Sequence, residues 1–245
     1  MIGGFSVDMI RRVLERESSM LRELDENLWV IDHPFNMPGG IAIQTRTTLI
    51  RLSNGDIFAH ALGPADDADH AEIAKLGNVT QLVASNLFHN AFVADWAARY
   101  EGATCHAPSG FDEKVPGLVY QSFGDEAPAA WAGQIEQVCV GGAPQLDETV
   151  FFHKATRTLL LTDLCFNMMH SDSFRTRLVM RIMGGYGHFG PSRLAKSFMK
   201  DKAAVRRGID RVLEWDFDRV TVTHGEVLET NGHTMMKQAY GWLKA

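Results

Sequence analysis

Three apolar runs in this chain end abruptly on a side chain able to bind something. Residues 158–163 read Thr-Leu-Leu-Leu-Thr-Asp, residues 81–89 run from Gln81 to His89, and residues 219–224 read Arg-Val-Thr-Val-Thr-His. A short continuous apolar run predicts a strand covered on both faces. Around these runs the pattern predicts further elements. Phe5, Met9, Ile10, Val13 and Leu14 recur at helical spacing, giving an amphipathic helix over about 5–17. Residues 28–32 form a first strand, 33–40 a turn-rich link, and 41–52 an alternating strand. Ser53-Asn54-Gly55-Asp56 is a hairpin turn of type I′, returning into a strand over 57–62. The chain therefore opens with antiparallel strands.

Helices are expected over 69–76, ended by Gly77-Asn78, and over 91–100, with Phe92, Trp96 and Ala97 inward and Asn90 as the cap. A strand over 104–107 begins a strand-and-turn region reaching 140. Residues 148–153 and 158–163 form a second hairpin. Between 167 and 200, Met168, Met169, Met180, Met183 and Met199 alternate with Arg175, Arg177 and Arg181, interrupted by Gly184-Gly185-Tyr186-Gly187. This predicts a helix, a glycine hinge and a second short helix, serving as packing or as a lid over a pocket. A helix over 203–215, a strand over 217–223 and a helix over 235–243 close the chain. No linker or repeat divides it, so residues 1–245 are expected to form one domain, with the helical Met-rich stretch of about 168–200 as an insertion.

Composition narrows the setting. The net charge of −6 argues against nucleic acid. Cys105, Cys139 and Cys165 make no C-x-x-C pair, which points to a reducing, cytoplasmic compartment. No apolar run approaches the roughly 20 residues of a membrane span. The N-terminal helix and the Met-rich segment are candidate surfaces for a homodimer.

His89, Asp163 and His224 share one position type, just beyond a buried strand, where ligands gather in layered α/β folds. Two imidazoles and a carboxylate suit zinc with an open position, or iron(II). Taken singly, each is equally readable as a hydrogen-bonded structural residue or a helix cap.

The order of elements, with Asn86-Leu-Phe-His89 leading into Ala94-Asp-Trp96, residues 157–167 and Val-Thr-Val-Thr-His224-Gly, resembles the metallo-β-lactamase superfamily over residues 28–243, within an uncharacterised branch. The resemblance implies an α/β four-layer αββα sandwich with a metal cleft at one edge. The superfamily's H-x-H-x-D-H motif would fall on Ala84, Asn86, Phe88 and His89, and its later histidine near Pro144 or Gln145. Asp163 matches the carboxylate that normally bridges two metals, and His224 the final histidine. The first metal site has thus lost its histidines, and the second its own aspartate. His89, Asp163 and His224 remain to hold one zinc or iron ion, or none, with Asp163 and His224 as the catalytic candidates. Asn86, Glu148, His153 and Asn167 are candidates for a fourth ligand or an orienting partner, and Glu226 for a general base. His60, His70, His106, His170, His188 and His233 are expected to be structural or on the surface. Three functions compete: a mononuclear metal-dependent hydrolase of unknown small-molecule substrate, an iron-dependent redox enzyme, and a non-catalytic module binding a small molecule or partner in a degenerate site.

Overall fold

The computed structural model describes residues 21–37 and 40–243, so the helix expected over about 5–17 lies outside the described residues. Strands β1 (Leu21–Asp25), β2 (Leu28–Met37), β3 (Ile41–Arg51) and β4 (Asp56–His60) form an antiparallel meander. Strands β5 (Asn78–Val83), β6 (Thr104–Ala107) and β7 (Gln121–Ser122) extend it in parallel into a seven-stranded sheet in chain order. The second sheet has the order β11-β10-β9-β8. It contains β8 (Ile135–Cys139), β9 (Thr149–His153), β10 (Thr158–Leu161) and β11 (Arg219–Val222). Only β10 and β11 run parallel there.

Period-two alternation builds the layers. Phe58, Val83, Phe151 and Leu160 point between the sheets, where Trp131 and Leu28 complete a shared core. Their neighbours Ile57, Ala59 and Leu82 face outward under helices α1 (Asp67–Leu76) and α2 (Val93–Arg99), through Ile73 and Trp96. On the other side, Leu159, Leu161, Phe152 and Val220 pack beneath α5 (Lys202–Val212) and α6 (Gly232–Tyr240), through Ile209, Met236 and Tyr240. The result is helices, sheet, sheet, helices, as expected. The run 158–161 is leucine-rich because both of its faces are covered. Each such side chain contributes roughly 1.5–3 kcal/mol by leaving water.

Helices α3 (Phe174–Met183) and α4 (Arg193–Phe198) sit beside the far end of β3. Ser173 and Ser192 cap them, Gly184 ends α3 in the left-handed conformation at φ 67°, and the Ala42 amide donates to Thr176 Oγ1 at 3.0 Å.

Four local expectations are corrected. The link expected over 33–40 is strand as far as Met37, in register with β3 from Leu28↔Ile50 to Met37↔Ile41. Pro34 sits within this run, in register with Gln44. The strand β1 itself, Leu-Arg-Glu-Leu-Asp, lacks an alternating apolar signature and was not expected. The hairpin at 53–56 is not type I′, since of its two central residues only Gly55 has positive φ, at 88°. It is a three-residue loop closed by Gly55 N–H to the Leu52 carbonyl. Asn90 does not cap α2: its amide donates to the Leu87 carbonyl, and Phe92 takes the cap position without a side-chain bond.

His60, at the end of β4, is fully enclosed against Phe151, and its Nε2 has no partner. Burial, helped by the charge of His89, pushes its pKa down to about 3. An unfolded histidine takes up a proton below about pH 6.5, whereas folded His60 resists until about pH 3. The unfolded state therefore binds more protons across that window, and His60 removes stability as pH falls. Replacing His60 by leucine is expected to abolish this loss. Urea melts at pH 7.5 and pH 5 should show the variant gaining about 2 kcal/mol relative to wild type on acidification. Parallel pH profiles for the two proteins would refute the assignment.

Candidate metal site

The loops leaving β5, β10 and β11 meet at one edge of the two sheets. His89 Nε2 lies 3.3 Å from Asp163 Oδ2, and His224 Nε2 lies 3.5 Å from Asp163 Oδ1. One ligand atom from each of the three residues falls within 4.8 Å of the others, a spacing that can hold a metal ion.

Each side chain is placed by specific bonds. Asn86 Oδ1 accepts from the backbone N–H groups of Phe88 and His89, at 3.0 and 2.9 Å, folding residues 86–89 into a turn that delivers His89. Its Nδ2 donates to Asp163 Oδ2 at 2.8 Å and to Glu148 Oε2 at 3.1 Å. Glu148 is buried just ahead of β9. It accepts the backbone N–H groups of Thr162 (2.8 Å), Asp163 (2.8 Å) and Leu164 (3.1 Å), so it moulds the turn that presents Asp163. Burial, then the neighbouring Asp163 carboxylate, pushes the Glu148 pKa up to about 7 against the pull of these donors. Beneath it, Ser85 and Thr162 share a hydroxyl hydrogen bond of 2.7 Å that ties the two sheets together.

His224 Nδ1 lies 2.9 Å from the Gln44 carbonyl, which can only accept, so Nδ1 carries a proton and Nε2 is the nitrogen turned toward Asp163. Phe166 stacks on the His224 ring at 5.1 Å. Two residues before His224, Arg46 Nη1 donates to the Val222 carbonyl at 2.7 Å, while its Nε pairs with Asp32. Asn167 joins the two loops: its N–H donates to the His224 carbonyl and its Nδ2 to the Glu226 carbonyl. A Cβ on Gly225 would lie 2.3 Å from the Asn167 backbone, so only glycine fits after His224. Burial on its own would raise the Asp163 carboxyl. The imidazoles of His89 and His224 outweigh it and hold that group well below the usual carboxylate range.

The proposed fourth partners separate cleanly. Asn86, Glu148 and Asn167 support the site through hydrogen bonds. His153 is on the wrong edge: antiparallel pairing sets it opposite Thr158, at the start of β10, while Asp163 lies beyond the end of that strand. Glu226 pairs with exposed His170 at 2.6 Å and does not line the cavity. Gln44, Arg46 and Phe166 were not anticipated. Gln44 acts through its backbone, which leaves no sequence signal, whereas Arg46 inside a buried strand was visible as a charge needing partners.

The triad forms one wall of a cavity of about 240 Å³, otherwise mainly apolar. Phe35, Ile43 and Leu62 enter it from the first sheet's side, and Met180, Met183 and Phe198 from α3 and α4.

No protein-family model matches the chain, and no curated protein sequence matches it. Solved structures do. A metallo-β-lactamase from Pontibacter korlensis superposes with a TM-score of 0.63 at 11% identity, covering 92% of this chain and 99% of that one. The metallo-β-lactamase FIM-1 from Pseudomonas aeruginosa, in its mono-zinc form, gives 0.60 at 12% identity over 91% and 95%. The chain has the metallo-β-lactamase fold. The same fold relates it to the metal-soaked Flv1 flavodiiron core from Synechocystis sp. PCC6803, with a TM-score of 0.61 at 8% identity, over 91% of this chain but 60% of that one. Within this metallo-β-lactamase fold, Ala84 and Asn86 stand where the resemblance would put histidines of a further metal, and Phe88 where it would put an aspartate of the site that keeps His89, Asp163 and His224. Ala84 is buried core, Asn86 is committed to hydrogen bonds, and Phe88 stacks on Phe198 at the cavity rim.

Proposed function

We propose that the chain is a mononuclear metal-dependent hydrolase acting on a small molecule with an apolar group. The observation that carries this is the convergence of the ligand atoms of His89, Asp163 and His224 within 4.8 Å in the wall of an apolar cavity. The donor set fits one zinc or iron ion: two imidazoles, one with its Nδ1 tied to the Gln44 carbonyl, and one carboxylate held below the usual range. A metal there supplies Lewis-acid chemistry to water and to a substrate oxygen. The chain's own residues do the rest. Asn86 and Glu148 hold Asp163 in place, and Gln44 orients His224. The aromatic and methionine walls take up the substrate's apolar part and exclude bulk water. Thr45 and Ser192 provide the cavity's hydroxyl groups. The reaction adds water across an ester or thioester, giving an acid and an alcohol or thiol.

The test starts from protein purified without a metal-affinity tag. Elemental analysis is expected to give one zinc or iron per chain. Hydrolysis of p-nitrophenyl esters should rise from acetate to hexanoate as the chain fills the cavity, gaining about 0.8 kcal/mol per methylene buried, and should stop in chelator. The fold shared with the flavodiiron core makes iron redox chemistry the second reading. Iron that absorbs visible light, with oxygen consumption and no ester hydrolysis, would replace the first reading by the second. Protein that neither carries nor takes up metal would leave a binding module.

A further inference from the structure

The outer face of α3 is apolar where a surface helix is normally polar. Phe174, Leu178 and Ile182, spaced four apart, are 69, 48 and 61% exposed, while Thr176 and Met180 on the opposite face are buried. Leu194 on α4 and Phe88 are 45 and 49% exposed, and both line the cavity, so they stand at its mouth. Five of the seven exposed large apolar side chains among the described residues thus belong to α3, α4 and the turn that carries His89.

This part of the chain is also basic. Residues 173–200 contain six arginines and lysines and no carboxylate, in a chain whose net charge is −6. Arg175, Arg181, Arg193, Lys196 and Lys200 are exposed. None of the six forms an ion pair with a described carboxylate, whereas seven of the nine described arginines elsewhere do, Arg51 and Arg207 being the exceptions. Beside them, half-exposed Trp242 packs under Lys196 and Lys202.

We propose that this face docks on an anionic lipid surface. An apolar stripe flanked by cations that have no described carboxylate partner is the composition of a helix lying in a membrane interface, and the charge is complementary to phosphate headgroups. A second copy of the chain is the weaker occupant: a two-fold contact through this face would set its cations against their own copies. Lipid docking goes beyond the hydrolase reading, because it needs neither metal nor turnover.

Flotation of the full chain with phosphatidylcholine vesicles, with and without phosphatidylglycerol, tests this. Wild type is expected to float with the mixed vesicles at low salt, to be released by high salt, and to ignore phosphatidylcholine alone. Arg175→Ala with Arg181→Ala should lower partitioning roughly thirtyfold, each cation near the surface counting for about a factor of five. Leu178→Asp with Ile182→Asp, exposed changes that leave the core intact, should abolish flotation. Chelated protein should float as well as untreated protein, so the outcome is independent of whether the hydrolase reading holds. Absence of flotation on the mixed vesicles, or equal flotation of both variants, overturns the proposal. So does a wild-type dimer that the aspartate variant converts to monomer, which would make the face an interface between copies.

Discussion

Replacing Asp163 by alanine is expected to empty the metal site and to cut hydrolysis by a thousandfold or more. Asp163 is the one residue that faces both His89 and His224, at 3.3 and 3.5 Å, and it supplies the only negative charge of the three. Without it, two imidazoles remain, a set that holds zinc or iron poorly. Loss of the Lewis acid removes several kcal/mol of transition-state stabilisation, and three decades of rate correspond to about 4 kcal/mol. The metal readout separates this effect from misfolding. Wild type should lose thermal stability in chelator, since a ligand bound only to the native state stabilises it by mass action. The variant should melt at one temperature with and without chelator. A variant retaining one metal per chain would sink the assignment of Asp163 as a ligand.

The largest effect on stability is expected at Glu148. Its carboxylate accepts three consecutive backbone N–H groups, from Thr162, Asp163 and Leu164, and the Asn86 amide as well. Alanine would leave those donors buried without acceptors, each costing about 1–3 kcal/mol, so Glu148→Ala should lose roughly 3–6 kcal/mol in denaturant unfolding. Much of a typical domain's stability is of that size, so partly folded protein is the expected product of that variant. Glu148→Gln keeps the shape but turns a donor toward the same N–H groups, and should also lose stability. A loss below about 1 kcal/mol in either variant would mean that the turn holding Asp163 does not depend on Glu148.

Much of the frame was legible because burial writes itself into periodicity. Residues 158–161 and 219–222 read as two-faced strands since each lies in a sheet packed on both sides, and the amphipathic pattern of α5 placed Val205, Ile209 and Val212 inward, where they are. The three strand-end residues His89, Asp163 and His224 could be picked out singly, and the loops do bring them together. Other features left no trace. β1 is a short edge strand with Arg22 and Glu23 exposed, so nothing in it alternates. Pro34 suggested a turn because its missing N–H was visible while the pairing of β2 with β3 as far as Met37 was not. Asn90 looked like a cap, but the side chain that organises that loop is Asn86, four residues earlier. The cavity was hidden because its walls come from several segments distant in sequence, each of which reads separately as ordinary core.

The cross-sheet ties near the triad bear on the order of folding. Ser85 with Thr162, Arg46 with Val222 and Gln44 with His224 each join the first sheet to the second. None of these bonds exists until both sheets are built and docked, and no one sheet carries all three ligand residues. A half-folded chain therefore has nothing that grips an ion tightly. Metal added during refolding should leave the folding rate unchanged and slow only the reverse reaction, so the ion acts as a latch closed after the two halves meet.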